Sequence, residues 1–141
     1  MLNKKYYGIK MKILFVCYGN VSRSQIAEAY YNHLTKTNDA KSAGVAENAG
    51  MKYHHPAQEI IRVMLEENID ISKNIVKAAT KEMVDEADKI IVMCDRDDCP
   101  RFMTDSVKTE YAPFSDPYGL GIEYARSVRE DIKKMVLELI K

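Results

Sequence analysis

Short apolar runs alternate with longer segments of helical periodicity along this chain. The run Lys89–Cys94 is almost continuously apolar, as expected for a strand buried on both faces of a parallel sheet. In the segment Ile122–Ile140, apolar residues instead recur at helical spacing between charged ones. The same reading predicts strands at Lys12–Cys17, Lys41–Ala43, Lys89–Cys94 and Val107–Tyr111, and helices at Ser22–Thr35, Pro56–Asn68, Thr80–Glu86 and Ile122–Ile140.

This alternation of strands and helices predicts an α/β fold with three layers, a four-stranded parallel sheet flanked by helices. A length of 141 residues suits one domain with a sizeable core. We assign residues 11–141 to that domain and residues 1–10 to a short N-terminal extension. In open sheets of this kind, ligands bind at the carboxyl ends of the strands.

Charge and composition exclude several classes of function. The 21 basic and 21 acidic residues balance, so nucleic acid is not an expected partner. No apolar run approaches the roughly 20 residues of a membrane helix, and Met1–Lys10 lacks the apolar core of a signal peptide. We therefore expect a cytoplasmic monomer without membrane contact, whose three cysteines serve as thiols or redox catalysts.

The strongest chemical signal lies between the first predicted strand and the first predicted helix. Val16–Ser24 reads VCYGNVSRS, a cysteine and an arginine separated by five residues. Backbone N–H groups of such a loop, with the positive end of the following helix, form an anion site over the Cys17 nucleophile. Arg23 adds a planar fork of donors that matches two phosphate oxygens. The predicted phosphate-binding loop comprises Tyr18, Gly19, Asn20, Val21, Ser22 and Arg23, in which Gly19 and Asn20 permit unusual backbone conformations.

A second candidate group lies in a turn-rich segment before the last helix. Asp116 is followed by Pro117, which stiffens the chain after it. Phosphoryl transfer from an ester needs an acid to protonate the leaving oxygen. An Asp-Pro pair alone is a common turn, but together with the Cys17 loop it suggests Asp116 as that acid.

These two motifs resemble those of the low-molecular-weight protein tyrosine phosphatases. That family carries a Val-Cys-x-Gly-Asn-x-Cys-Arg-Ser loop and a C-terminal Asp-Pro-Tyr loop, and the resemblance extends over Met11–Lys141. It implies the low-molecular-weight phosphatase fold and hydrolysis of phosphotyrosine or an aryl phosphate through a cysteinyl phosphate, with no cofactor. The substrate would be a phosphotyrosine protein or a small phosphoester. By the same resemblance, Ser24 contacts the Cys17 sulfur, Asn20 and Ser42 brace the loop, and Tyr118 and Tyr53 form a substrate wall.

The chain also resembles the thioredoxin-coupled arsenate reductases of the same fold family. Those enzymes relay oxidation through three cysteines, for which Cys17, Cys94 and Cys99 are the candidates, and thioredoxin would be the partner. Gln25 also resembles the reductases. However, the interval between Cys94 and Cys99 is shorter than in the reductases, and Tyr118 is typical of the phosphatases. Ser22 replaces the second loop cysteine of both groups.

The reductase resemblance further implies a potassium site, although no cysteine or histidine spacing suggests a zinc site. The potassium positions are Asn20, Glu28, Ser42 and Asp70. The phosphatase mechanism itself needs no metal. A third possibility is a binding module that holds phosphorylated partners without turnover.

Overall fold

A computed structural model describes residues 11–141, and the proposed extension at residues 1–10 lies outside the described part. Four strands and five α-helices alternate along the chain. The strands are β1 (Ile13–Cys17), β2 (Ala40–Gly44), β3 (Lys89–Val92) and β4 (Thr109–Tyr111). The helices are α1 (Arg23–Thr35), α2 (Gln58–Leu65), α3 (Lys81–Glu86), α4 (Arg101–Thr104) and α5 (Ile122–Ile140), with a 3₁₀ turn at Arg96–Asp98.

The four strands form one parallel sheet in the order β2-β1-β3-β4. All five residues of β1 are buried, because this strand is central and covered on both faces. Its register runs from Ile13 beside Ala40 to Cys17 beside Gly44. The sheet therefore brings the end of β1 next to the ends of β2 and β3, and the predicted three-layer α/β fold is confirmed.

Alternating side chains of the sheet divide the core in two. On one face, Phe15 and Ile91 pack with apolar residues of α1, α2 and α5. On the other face, Val16 and Val92 pack with Val84 of α3 and residues around α4. Cys17 belongs to the first face, which places its side chain against the start of α1.

The bounds of α5 agree with the prediction, whereas other elements differ by one to three residues. Helix α2 begins at Gln58 rather than Pro56 because Ala57 is extended, and it ends before Asn68, whose φ of 61° is left-handed. Strand β3 ends at Val92, so Cys94 lies beyond it. Within residues 11–141, no helix is both long and apolar enough to cross a membrane.

An ion-pair network fixes α2 onto α5. The Glu66 carboxylate accepts hydrogen bonds from Arg126 Nη2 and Arg129 Nη1, each at 2.7 Å. Hydrogen bonding from Arg126 and then Arg129 lowers the pKa of Glu66 to about 2. The network thus favours the folded state only while Glu66 is ionised.

This network predicts acid-sensitive stability. Because the folded-state pKa of Glu66 is depressed from 4.5 to about 2, its contribution is present above pH 4.5 and is lost as the pH falls towards 2. Glu66→Gln should therefore flatten the decline of the urea-unfolding midpoint between pH 5 and pH 3, both values being approximate. Glu47→Gln is the control, since exposed Glu47 makes no ion pair within residues 11–141. A decline in Glu66→Gln as steep as in the parent would contradict this role.

Candidate active site

The anion loop occupies the five residues between β1 and α1. Cys17 is the last residue of β1, and Arg23 is the first residue of α1. Asn20 takes a left-handed conformation with φ of 60°, as its residue type allows. Gly19 differs from expectation, because its φ is not positive and an added Cβ would meet only Val21 Cγ2, at 3.9 Å. The unusual backbone of the loop is therefore carried by Asn20 and not by Gly19.

The buried amide of Asn20 holds the loop in place. Its Nδ2 donates to Ser24 Oγ at 2.7 Å and to Ser42 Oγ at 3.0 Å. Its Oδ1 accepts from Gln25 Nε2 at 3.2 Å and from the backbone N–H of Lys77 at 3.1 Å. Two donors and two lone pairs are the whole capacity of an amide, so every hydrogen bond that Asn20 can make is made.

Ser24 connects this amide to the nucleophile. Its Oγ lies 3.0 Å from Cys17 Sγ, and both atoms are buried. Since Ser24 Oγ accepts a hydrogen bond from Asn20, its own proton is free to be donated to the sulfur. A hydrogen bond to the charged form of a group favours that form, so this contact stabilises a Cys17 thiolate.

Arg23 is a buried cation next to this sulfur and joins three parts of the chain. Its Nη1 donates to the carbonyl of Met93, at 3.1 Å, and to that of Phe114, at 2.9 Å. Its Nη2 lies 3.7 Å from Asp116 Oδ2. These contacts bring the end of β3 and the Asp116 loop to the anion loop.

Two buried polar atoms at this site have no partner. They are Arg23 Nε and Ser22 Oγ, and no other buried side-chain nitrogen or oxygen between residues 11 and 141 is unsatisfied. Both residues line a cavity of about 220 Å³ that Cys17, Asp116 and Tyr118 also line. Unpaired buried donors are costly, and an oxyanion carries the acceptors that would satisfy them. The geometry suits the binding of a tetrahedral oxyanion next to a thiolate.

Residues 12–141 match the family described as low molecular weight phosphotyrosine protein phosphatase. The chain belongs to this family. Arsenate reductase 1 of Staphylococcus haemolyticus is 31% identical over 131 residues, covering 92% of this chain and 94% of that protein. Two solved structures are also similar to it. The low molecular weight protein tyrosine phosphatase from T. tengcongensis has a TM-score of 0.79 and 28% identity, covering 92% of this chain and 97% of that one. Arsenate reductase from Archaeoglobus fulgidus has a TM-score of 0.74 and 27% identity, covering 92% and 98%.

As in the predicted phosphatase-like site, two tyrosines meet at the mouth of the cavity. Tyr118 Oη donates to Tyr53 Oη at 3.1 Å, and the ring centroids are 6.0 Å apart. Hydrogen bonding between the two hydroxyls lowers the pKa of Tyr53 and raises that of Tyr118. Asp116 lies beside them, half exposed, and its Oδ1 accepts from the backbone N–H of Tyr118 at 3.0 Å. The structure thus brings the predicted acid and both wall residues to one opening.

The other two cysteines of this family member lie together beyond β3. Cys94 is buried in the core of the opposite sheet face from Cys17, while Cys99 is partly exposed. The two thiols lie within hydrogen-bonding reach of each other. Burial, with smaller effects of Cys99 and Cys17, raises the pKa of Cys94 to about 12, and burial also raises that of Cys99. The intervening residues 95–98 are all exposed.

Three of the four positions that resemblance assigns to potassium lie near one another. Asn20 donates to Ser42 Oγ, and Ser42 lies within hydrogen-bonding reach of the Glu28 carboxylate. Burial raises the pKa of Glu28, and the charge of Lys77 partly offsets this effect. Asp70 is exposed and instead accepts from the backbone N–H of Ser72, at 2.9 Å.

Gly44 is a site residue whose physical role was missed in the sequence analysis. It ends β2 directly against the anion loop, and a Cβ there would lie 2.8 Å from the Tyr18 carbonyl oxygen and 3.0 Å from the carbonyl carbon of Gly19. Both neighbours are backbone atoms, which cannot rotate away as a side chain would. Only its position after Ser42 in a motif resembling the family pointed to it.

Gly44→Ala should therefore displace the anion loop. We expect its affinity for inorganic phosphate to fall by roughly 10-fold to 100-fold, because small displacements in an oriented site are costly. Titration calorimetry measures the affinity, and circular dichroism checks that the variant remains folded. An affinity equal to that of the parent in the folded variant would show that the loop tolerates the added methyl group.

Proposed function

We propose that this member of the family reduces arsenate to arsenite, with Cys17, Cys94 and Cys99 as a thiol relay. The observation that carries the proposal is the pairing of Cys94 and Cys99 within hydrogen-bonding reach, just beyond the strand that neighbours Cys17. A hydrolase has no need of this second pair of thiols. The Staphylococcus relative named arsenate reductase supports the proposal.

The first step uses the anion loop. Arsenate, a tetrahedral oxyanion, binds to the loop N–H groups and to the free donors of Arg23. The Cys17 thiolate, stabilised by Ser24, attacks arsenic and displaces one oxygen as water. A covalent bond between Cys17 Sγ and As(V) results.

The second step transfers two electrons. Cys94 attacks Cys17 Sγ, the sulfur–arsenic bond breaks, and its electron pair stays on arsenic, which leaves as arsenite. A Cys17–Cys94 disulfide forms, so two thiols have been oxidised and As(V) has become As(III). Cys99 then attacks Cys94, which releases the Cys17 thiolate and leaves a Cys94–Cys99 disulfide.

A dithiol protein of the thioredoxin class would restore the resting enzyme. Cys99 is the more exposed member of the final disulfide, so this sulfur is open to the reductant. Such a cycle runs in a reducing compartment, which agrees with the expected cytoplasmic location.

The relay requires residues 94–99 to rearrange. Cys17 and Cys94 lie in cores on opposite faces of the sheet, and the high pKa of Cys94 keeps it a thiol while it is buried. Exposure of Cys94 would remove the main cause of that raised pKa and make the thiolate accessible. The four exposed residues of the intervening segment leave it free to move without disrupting either core.

Cysteine variants test this proposal with thioredoxin, thioredoxin reductase and NADPH. The parent should oxidise NADPH when arsenate is added, and Cys94→Ser should abolish this turnover. Cys99→Ser should stop after one cycle with a Cys17–Cys94 disulfide, which peptide mass spectrometry detects. Cys17→Ser should form no such disulfide.

Hydrolysis of p-nitrophenyl phosphate by the same proteins is the matched control. Cys94→Ser and Cys99→Ser should retain it to within about 2-fold, since neither thiol acts on phosphorus, whereas Cys17→Ser should lose it. A parent that hydrolyses this ester but shows no arsenate-dependent NADPH oxidation would overturn the reductase proposal.

Phosphatase activity is the second candidate function. The observation that favours it is the position of Asp116 and the Tyr53–Tyr118 pair on the cavity that Cys17 lines. An aryl phosphate would place its ring between the tyrosines and its leaving oxygen near the carboxyl of Asp116. Cys17 would attack phosphorus, and Asp116 would protonate the leaving phenolate.

Asp116→Asn tests this acid role through the leaving group. With phenyl phosphate, kcat/KM should fall by roughly 100-fold or more, because the poor leaving group needs protonation. With p-nitrophenyl phosphate, the loss should be smaller, since its phenolate leaves without an acid. Equal losses with both esters would assign Asp116 a structural role alone.

A further inference from the structure

A charged pair beneath the anion loop has no part in either reaction scheme. Glu28 projects from α1 and is partly buried, and its charge interacts with that of Lys77, which is also partly buried. The Lys77 ammonium donates to the carbonyl of Ile75 at 3.2 Å. The pair lies on the side of Ser42 away from the nucleophile, next to the positions that resemblance assigns to potassium.

The residues at those positions do not fit a bound potassium ion. Asn20 Oδ1 already accepts from Gln25 Nε2 and the Lys77 backbone, so neither of its lone pairs is left for a metal. Asp70 is exposed and bonded to Ser72, and it is not among the groups that act on Glu28. Hard cations need several convergent oxygen ligands, and two of the four oxygens are committed elsewhere.

A continuous hydrogen-bonded path nevertheless joins the charged pair to the nucleophile. From Cys17 Sγ it passes through Ser24 Oγ, at 3.0 Å, to the amide of Asn20, at 2.7 Å. Asn20 also donates to Ser42 Oγ at 3.0 Å, which leaves the Ser42 proton free for the Glu28 carboxylate. The orientation of Ser42, and through it of Asn20, therefore depends on Glu28 remaining an ionised acceptor.

We propose that Lys77 is an internal cation that takes the place of a potassium ion beside Glu28 and thereby positions the anion loop. Its role is twofold, because its backbone N–H fixes Asn20 Oδ1 while its ammonium neutralises the carboxylate that orients Ser42. It touches neither substrate nor sulfur, so it is a positioning residue. The loop should then assemble without any monovalent metal ion, whichever oxyanion reaction it serves.

The cation requirement is tested on the parent protein. Thermal unfolding and phosphate titration are carried out in potassium chloride and in tetramethylammonium chloride of equal ionic strength. The unfolding midpoints should agree to within about 1 °C, since a ligand that does not bind gives no stabilisation. A saturable rise of the midpoint with potassium would overturn the proposal.

Lysine variants test the role of the charge. Lys77→Met should weaken the binding of inorganic phosphate by roughly 10-fold, and Lys77→Arg should restore most of this loss, because it keeps the positive charge. Lys41→Met is the matched control. Lys41 also interacts with Glu28 but is exposed, so its removal should change the affinity by less than about 2-fold. Equal effects of Lys77→Met and Lys41→Met would overturn the proposal.

A double-mutant cycle keeps the test decisive even if Lys77→Met is poorly folded. Removing one member of a buried pair leaves the other charge uncompensated, whereas removing both avoids that cost. The unfolding midpoint of Glu28→Gln/Lys77→Met should thus lie above the sum of the two single effects, with Glu28→Gln/Lys41→Met additive. Additive effects in both cycles would show that Lys77 is not the counter-charge of Glu28.

Discussion

The active site depends on one buried amide. Asn20 lies in the middle of the anion loop, where the backbone makes no regular secondary structure and must turn through a left-handed residue. Its four hydrogen bonds join the loop to Ser24 and Gln25 at the start of α1, to Ser42 on β2 and to the backbone of Lys77. A leucine or alanine there would leave several buried polar groups without partners, each at a cost of about 1–3 kcal/mol. The same bonds orient the serine that contacts the nucleophile, so the stability of the loop and the chemistry of Cys17 share one cause.

Much of this could be predicted from the sequence, because the informative signals are local. The loop between Val16 and Ser24 contains the nucleophile, the cation and the left-handed residue within nine positions. Helix α5 was predicted with its full bounds, since its apolar positions repeat regularly over 19 residues. Local signals fail at element ends, as at Ala57, where an extended residue delays the start of α2. They also misplaced the conformational demand on Gly19.

Contacts between distant segments could not be predicted. Gly44 meets the loop only because β2 pairs with β1 in a register that brings Gly44 beside Cys17. Lys77 reaches Asn20 across 57 positions of sequence, through a segment without helical or strand periodicity. Such contacts follow from the parallel sheet, whose carboxyl edge collects the ends of remote elements. The sequence identifies the residue types that a site needs, while the topology decides which of them meet.

Phosphorus and arsenic chemistry can share this site because they differ only after the first bond forms. Both begin with a thiolate attacking a tetrahedral oxyanion held by the same donors, so the loop itself does not discriminate between them. Hydrolysis continues when Asp116 activates water, whereas reduction continues when a second thiol attacks the sulfur. Ser22 makes the second route depend on one segment, because a loop cysteine is absent and Cys94 is the nearer of the two remaining thiols in the chain. Arg96 stacks on the Tyr111 ring at 5.5 Å, which holds that segment against β4. The balance between the two reactions is therefore set less by the shape of the oxyanion cradle than by how readily residues 94–99 leave their resting position.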